Sequence, residues 1–334
     1  MKEYKFKSVF APHINSFLRM KEAMGFGLVG FKIKLKEFDL FFIENNVTDL
    51  SITKSLISEW SKTRVNDSRR TLYDKYSVIS QFCKYMCHIG YLCHVPRLPR
   101  RSFENYVPHI FTHEQIQQFF GVCDALVSSS RNMDCILFAL PALYRLLYST
   151  GVRIGEAISL RNKDIDFGRQ YIIIRKTKNQ QQRLVPLNAS MLQTLLQYKE
   201  ARDNLPLQNI VDLDSYFFIS PSGHRLSNGG VYRWFRVILK KCGIPHIGKN
   251  HGPRVHDVRH TTAVHSLMKQ VKSGADIYCV LPIISVFLGH KTIKGTEKYV
   301  RLTQEMFPEI IKLEQSLTSF VFPSQRIIEI NYEK

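Results

Sequence analysis

Long apolar runs are missing from this chain: none approaches the roughly 18 residues needed to span a bilayer. Its first residues, Met1-Lys-Glu-Tyr-Lys-Phe-Lys, lack the apolar centre and small-residue cleavage site of a secretory signal. Together these absences argue against a membrane partner and predict residence in the cytoplasm. Internal repeats and low-complexity segments are also missing. So is any Cys-x-x-Cys pair, and the seven cysteines are odd in number, which fits free thiols in a reducing compartment. Cys83, Cys87 and Cys93 do lie near His88 and His94, which raises zinc as an alternative. Buried thiols on an apolar helix over Ser77–Leu92 are the commoner outcome of such a pattern.

Acidic residues are scarce: 28 Asp and Glu face 47 Lys and Arg in 334 residues, a formal net charge of +19. That balance is extreme for an enzyme of small metabolites and points to a polyanionic partner, nucleic acid being the commonest. A merely basic surface, as on ribosome-associated or membrane-peripheral proteins, is the alternative. A hydrophobic fraction of 44% is that of a folded protein, and the length has room for two domains with proper cores.

Residues 10–95 read as short helices. Apolar residues recur at three- and four-residue spacing over Phe10–Met24 and Phe31–Glu44, and helices over Ile52–Thr63 and Thr71–Leu92 follow. Lys62, Arg64, Arg69, Arg70 and Lys75 gather at one junction, where they could grip phosphates or simply be solvated. His94-Val-Pro-Arg-Leu-Pro-Arg-Arg-Ser then reads as an extended basic linker, since each proline keeps the residue before it out of helix. Thr112-His-Glu-Gln is a capping-box start for the next helix. The expected division is 1–97 for a helical DNA-binding domain, 98–109 for the linker, 110–302 for a second domain and 303–334 for a C-terminal helix or tail. The second domain reads as mostly helical with a small antiparallel sheet. Gln170-Tyr-Ile-Ile-Ile-Arg and Arg183-Leu-Val-Pro-Leu flank a polar turn and suggest a hairpin. Ser227 caps a helix that interleaves Tyr232, Arg233, Arg236, Lys240 and Lys241, a DNA-facing pattern.

Four segments carry candidate chemistry, and each has an ordinary reading beside it. Leu147-Tyr-Ser-Thr-Gly-Val-Arg places Arg153 just past a glycine turn, where it could equally be a salt-bridge partner of Glu156. Lys176-Thr-Lys-Asn sits at the hairpin tip, where lysines are usually solvated. Val255-His-Asp-Val-Arg-His sets His256 and Arg259 three apart, hence on one helix face. Phe287-Leu-Gly-His-Lys-Thr-Ile-Lys-Gly-Thr-Glu-Lys-Tyr places His290 after a helix-ending glycine and Tyr299 nine residues later.

Taken together, the four resemble the tyrosine recombinase (phage integrase) family, whose catalytic domain carries Thr-Gly-x-Arg-x-x-Glu, a hairpin lysine, His-x-x-Arg-His, and Leu-Gly-His with a tyrosine nine residues on. The resemblance spans residues 147–300 and reaches the helix start at Ile110-Phe-Thr-His-Glu-Gln; over residues 1–100 it is architectural only. It implies that Arg153 and Arg259 clamp the scissile phosphate, that His256 handles protons, that His290 contacts the phosphate and that Tyr299 is the nucleophile. Lys178 is implied as the general acid, with Lys176 as the alternative. The family's fold is mainly α, a helical N-terminal core-binding domain and a catalytic domain forming a C-shaped clamp on DNA. About four extra residues around Val280-Leu-Pro-Ile-Ile depart from the pattern and put the shape of the loop before His290 in question.

The residue types suit that chemistry on their own terms. Attack on a phosphodiester builds negative charge on the non-bridging oxygens, and two fork-shaped guanidiniums neutralise it well. A phenol of ordinary pKa near 10 needs a basic neighbour or a positive field to attack. A two-metal nuclease would need converging carboxylates, whereas Glu156, Asp164, Asp166 and Asp257 stand singly, so no cofactor or metal is expected. Glu156 is better placed to orient its surroundings. Tyr278 and Tyr332 are rival tyrosines without the Leu-Gly-His context.

The function read from this is a site-specific recombinase or integrase of a mobile element, acting through a 3′-phosphotyrosyl intermediate that needs no ATP. Alternatives are a type IB topoisomerase-like enzyme and a DNA-binding protein that no longer cuts. The implied partners are double-stranded DNA and a homotetramer on two paired sites, with other recombinases or accessory proteins of the same element as further candidates. Met306, Ile310, Leu313, Leu317 and Phe320 form an apolar helical stripe. The stripe packs either on its own domain or, by the family's habit of exchanging C-terminal segments, on a neighbouring protomer.

Overall fold

The computed structural model describes residues 4–100, 107–127, 135–175, 182–246, 252–290, 292 and 294–306. The chain divides into two compact units, Met1–Tyr106 and Val107–Lys334.

The described residues of the first unit form four helices: α1 (Ala11–Ala23), α2 (Val29–Glu44), α3 (Lys54–Lys62) and α4 (Arg69–His88). The helical spacing seen in the sequence turns Phe17, Phe38, Phe42, Trp60 and Phe82 inward to a largely aromatic core. Phe38 and Phe42 lie 4.3 Å apart between ring centroids and Phe38 and Trp60 5.5 Å. Thr53 and Ser68 cap α3 and α4 by accepting from Leu56 N and Thr71 N. α4 stops four residues short of the expected Leu92. Tyr91 N–H turns back to Met86 O at 3.0 Å and closes the last turn. Two members of the basic cluster are already engaged inside the unit. Lys75 is buried between Glu37 (2.5 Å) and Asp67 (2.9 Å), and Arg64 reaches Glu37 at 3.3 Å. Only Lys62, Arg69 and Arg70 of that cluster are exposed.

The second unit opens with α5 (His113–Asp124), whose capping box is formed by Thr112 and Gln115 in both directions. After α6 (Leu140–Thr150) and the short α7 (Ile154–Ala157) comes a sheet of β1 (Ile165–Asp166), β2 (Tyr171–Ile174) and β3 (Arg183–Pro186). Its order is β1-β2-β3 and both pairings are antiparallel. The hairpin is as expected; β1 is an addition that two residues could not announce in sequence. Register pairs Ile172 with Val185 and Ile174 with Arg183. Ile172, Ile174 and Val185 therefore face the core. Helices resume with α8 (Ala189–Asp203), α9 (Asn228–Lys241), α10 (Val255–Lys272), α11 (Ile277–Leu288) and α12 (Lys294–Met306).

α10 is the axis of the unit and packs on α6, α11 and α12. Asp257, Arg259, His260, Thr261, Thr262 and His265 are all buried along it, polar groups that an interior helix keeps only if they are partnered. Thr262 Oγ1 donates to Tyr148 O at 2.7 Å and ties α10 to α6. The residues around Val280-Leu-Pro-Ile-Ile do not form a loop before His290. They belong to α11, which Asp276 caps by accepting from Tyr278 N and Cys279 N and which carries Pro282 in its interior. Val280, Leu281 and Ile284 are buried, which explains why an apolar run was absorbed into helix. Among the described residues no helix is long and apolar enough to cross a membrane. The expected stripe Ile310, Leu313, Leu317 and Phe320 lies outside the described residues.

Candidate active site

The site is assembled from five helices, α6, α7, α10, α11 and α12, and the start of β3. α6 ends at Gly151, whose φ of +60° turns the chain sharply, and Arg153 follows at the N-terminus of α7. A side chain at Gly151 would come within 2.7 Å of Leu288 Cδ2, so α6 and α11 meet only because the position is glycine. α11 ends in the same way at Gly289, with φ +67°, and a Cβ there would sit 3.0 Å from Arg183 Cδ.

Arg259 holds these two helix ends together. Its Nη1 donates to Gly151 O at 2.6 Å and its Nη2 to Leu288 O at 2.5 Å. The carbonyls left over at helix C-termini carry partial negative charge, and one guanidinium satisfies one from each helix. Arg259 is 2% exposed. Burial lowers its pKa to about 10, with Arg153 nearby adding to the effect and Tyr299 and Glu156 opposing it.

Arg153 is the more open arginine. Its Nη1 donates to Glu156 Oε1 at 2.8 Å and its backbone N–H to Glu156 Oε2 at 3.0 Å. Glu156 also receives Arg183 Nη2 at 2.7 Å. Burial alone would raise the Glu156 pKa, but Arg183 and Arg153 together hold it below the ordinary carboxylate value. One buried carboxylate is thus shared by two guanidiniums, and the group keeps a net positive charge. The pairing of Arg153 with Glu156 foreseen in the sequence is present, and it fixes Arg153 in place beside the arginine of α10.

This arrangement gives an acid-sensitive stability term. Because the folded pKa of Glu156 lies below its unfolded one, the stabilisation is complete above the unfolded value, near 4.5, and drains as pH falls through the folded one. Glu156→Gln should cost about 1–3 kcal/mol at pH 7, since two guanidiniums lose their counter-charge. The gap between parent and variant in urea unfolding should then narrow below about pH 4.5. A gap that stays constant with pH would show that the carboxylate's charge contributes nothing.

Tyr299 stands on α12 and is 1% exposed. Its hydroxyl lies 2.9 Å from His260 Nδ1. Burial pushes the phenol up to about 12 despite the opposing pull of Arg259 and Arg153, so at neutral pH the oxygen carries its proton. The His290 ring stacks on the Tyr299 ring with 6.1 Å between centroids and an 18° interplanar angle. His290 Nδ1 is 2.8 Å from Thr296 Oγ1, on the first turn of α12, which fixes the imidazole. His256 is exposed and packs edge-on against His260, 4.8 Å between centroids.

Five of the six residues singled out in the sequence are described, and Arg153, Arg259, His290 and Tyr299 are drawn together with Glu156. His256 reaches this group through the ring of His260. Lys178, like Lys176, lies outside the described residues, in the connection between β2 and β3. Three residues that sequence reasoning gave no role also belong here: Arg183, His260 and Thr296. Arg183 pairs with Glu156 across 27 residues of chain, which no local spacing reveals. His260 stood inside the quoted motif, and its i+4 relation to His256 was the available signal. Among the described residues no group of three or more His, Cys, Asp or Glu could hold a metal ion.

Comparison with known proteins identifies the family and the fold. Residues 109–306 match the model of the phage integrase family. y4rB of Sinorhizobium fredii, provisionally named an integrase/recombinase, is 28% identical over 311 residues, covering 91% of this chain and 96% of that protein. The tyrosine recombinase XerC of Chlamydia caviae is 28% identical over 249 residues, 72% of this chain and 70% of that one. Among solved structures, the XerH site-specific recombinase bound to difH substrate in a pre-cleavage complex aligns with a TM-score of 0.64 at 16% identity, over 88% of this chain and 94% of that one. The Tn1549 transposon integrase in complex with transposon right end DNA aligns with a TM-score of 0.60 at 16% identity, over 86% and 94%. Those two likenesses establish the fold, and the family match covers well over half of the chain. Because that match spans residues 109–306, the chain belongs to the phage integrase family, the tyrosine recombinases that break and rejoin DNA.

Proposed function

We propose that this chain is a site-specific recombinase of a mobile element that cuts and rejoins double-stranded DNA through a 3′-phosphotyrosyl bond to Tyr299. The observation that carries the reading is the position of the Tyr299 hydroxyl, buried in the field of Arg259 and Arg153 at the meeting of α10 and α12. In this reading Arg153 and Arg259 take the non-bridging oxygens of the scissile phosphate. His290, braced by Thr296, contacts the same group. Lys178 delivers a proton to the departing 5′-oxygen, and His256 passes protons between the site and solvent. Phosphate binding would draw the Arg259 guanidinium toward a stronger acceptor than the two carbonyls it now satisfies, so substrate and site geometry are coupled.

α9 supports a DNA partner. Val231, Phe235, Ile238 and Leu239 are buried, while Arg233, Arg236 and Lys240 are exposed at i, i+3 and i+7 on the opposite face. Such a basic stripe along one helix suits a DNA groove and its phosphates. The working assembly in this reading is a homotetramer on two paired sites, acting in the cytoplasm where the element's DNA resides.

The test uses nicked suicide substrates bearing the ends of the element, incubated with the full chain in EDTA. The expected product is a protein–DNA adduct that survives denaturant, because arginines and not divalent ions neutralise the phosphate. Cleavage that stops in EDTA and returns with magnesium would contradict the reading. Product formation that requires two matching sites separates recombination from topoisomerase-like relaxation of a single duplex.

A further inference from the structure

His260 has no role in the reading above, yet its ring nitrogen lies within hydrogen-bond distance of the nucleophile's oxygen. Its Nδ1 lies 2.9 Å from the Tyr299 oxygen, both groups are buried, and the rings stand 5.6 Å apart at 51°. It sits on α10 next to Arg259 and one turn beyond His256. We propose that His260 is a further catalytic residue, the proton acceptor for Tyr299 during DNA cleavage; the inference rests on Tyr299 being the nucleophile.

The geometry argues for this in three ways. A phenol that keeps its proton must lose it as its oxygen bonds to phosphorus, and an acceptor must stand within hydrogen-bond reach of that oxygen. Nδ1 accepts this proton when the imidazole carries its own hydrogen on Nε2. The partner must also sit where water is scarce, since Tyr299 is 1% exposed and bulk solvent does not reach its hydroxyl. Finally, His256 offers an outlet: it is exposed, and its ring packs edge-on against His260 at 4.8 Å.

His256 and Arg259 stand beside His260 on its own helix and Tyr299 faces it from α12; the Tyr299 phenol in turn feels Arg259 and Arg153, and its ring stacks on His290. A phosphate bound by Arg259 would place its negative charge near the imidazole and so favour transfer of the phenolic proton to Nδ1. In the cleavage step the Tyr299 Oη–P bond forms, the P–O5′ bond breaks, and the phenolic proton moves to His260 Nδ1. The 5′-oxygen takes a proton from the general acid. Religation reverses each of these, and no electron is gained or lost.

The decisive variant is His260→Asn, whose side-chain polar atom falls close to the position of Nδ1, so it can keep a hydrogen bond to Tyr299 but cannot take the proton. With the full chain on suicide substrate, adduct formation in a single turnover should slow by about 100-fold or more, with DNA binding unchanged. A substrate with sulfur in place of the bridging 5′-oxygen leaves without a proton and should rescue Lys178→Ala but not His260→Asn. Adduct formation by His260→Asn within threefold of the parent (about the scatter of such a rate), or its recovery on the sulfur substrate, would overturn the assignment. If the parent itself makes no adduct, the fault lies with the nucleophile reading and not with His260. Should His260→Asn fail to fold, ¹⁵N-histidine NMR of the parent and of Tyr299→Phe decides. One imidazole Nδ1 resonance must shift between them, and identical spectra would overturn the contact on which the proposal stands.

Discussion

Tyr299→Phe is expected to bind its DNA with the parent's affinity and to form no covalent adduct at all. The substitution removes one oxygen from a ring that packs against His290 and lies among Leu302, Val300 and the apolar face of α11. Its packing is kept, so the fold should survive. The cost is the hydrogen bond to His260, about 1–3 kcal/mol if the imidazole is left without a partner, while the apolar cluster around the ring is kept. Electrophoretic mobility shift should show the same complex for both proteins, and denaturing gels should show an adduct for the parent only. Adduct formation by the phenylalanine protein would mean that another group attacks the phosphate, and Tyr278, which is exposed on α11, would then be the next to replace.

Arg259→Lys is expected to fold and to cleave about 100- to 1,000-fold more slowly at saturating DNA, the scale set by removal of one preorganised donor to a developing oxyanion. Lysine keeps the charge and loses the fork. A single ammonium cannot reach Gly151 O and Leu288 O as the two ends of the guanidinium do, nor can it offer parallel donors to a phosphate. A second consequence follows from the helix ends. α6 and α11 meet at Gly151 and Leu288, so the lysine variant should also lose about 1–3 kcal/mol of stability, the cost of one buried carbonyl left unsatisfied. Single-turnover rates and urea midpoints measure the two effects separately. Cleavage by the lysine variant within threefold of the parent would remove Arg259 from the phosphate-binding role.

The site was more legible in the sequence than its wiring. Arg153, His256, Arg259, His290 and Tyr299 could be picked out because the four segments that hold them follow the order and spacing of the tyrosine recombinase pattern; singly each had an ordinary reading, Arg153 as the partner of Glu156 among them. Gly151 and Gly289 do in the structure what they announced in the sequence, ending α6 and α11 in left-handed turns. Arg183 could not be read. Its partner Glu156 is 27 residues away, and only the antiparallel register that pairs Ile174 with Arg183 brings the strand start to α7. The loop whose shape was in question before His290 is helix: Asp276 caps the run and Val280, Leu281 and Ile284 bury it, tertiary contacts that a count of extra residues does not reveal.

Charge was legible as a total and less so as a location. A net charge of +19 pointed to a polyanion, yet Lys75 and Arg64, which looked free for phosphates, are paired with Glu37 and Asp67 inside the first unit. Hydrophobic periodicity alone does not say which basic residues are neutralised by the fold. On α9 it does better, because the buried residues Val231, Phe235 and Ile238 fix which face Arg233, Arg236 and Lys240 must share.

The central claim is that one phenol of this chain carries the cut DNA. It is tested most directly by trapping the parent protein on a suicide substrate, trimming the bound DNA with nuclease, digesting the protein and locating the attached nucleotide by mass spectrometry. The account predicts a nucleotide phosphate on the peptide containing Tyr299, joined through the phenolic oxygen. A nucleotide on any other residue, or cleaved DNA with no covalent protein, would contradict it.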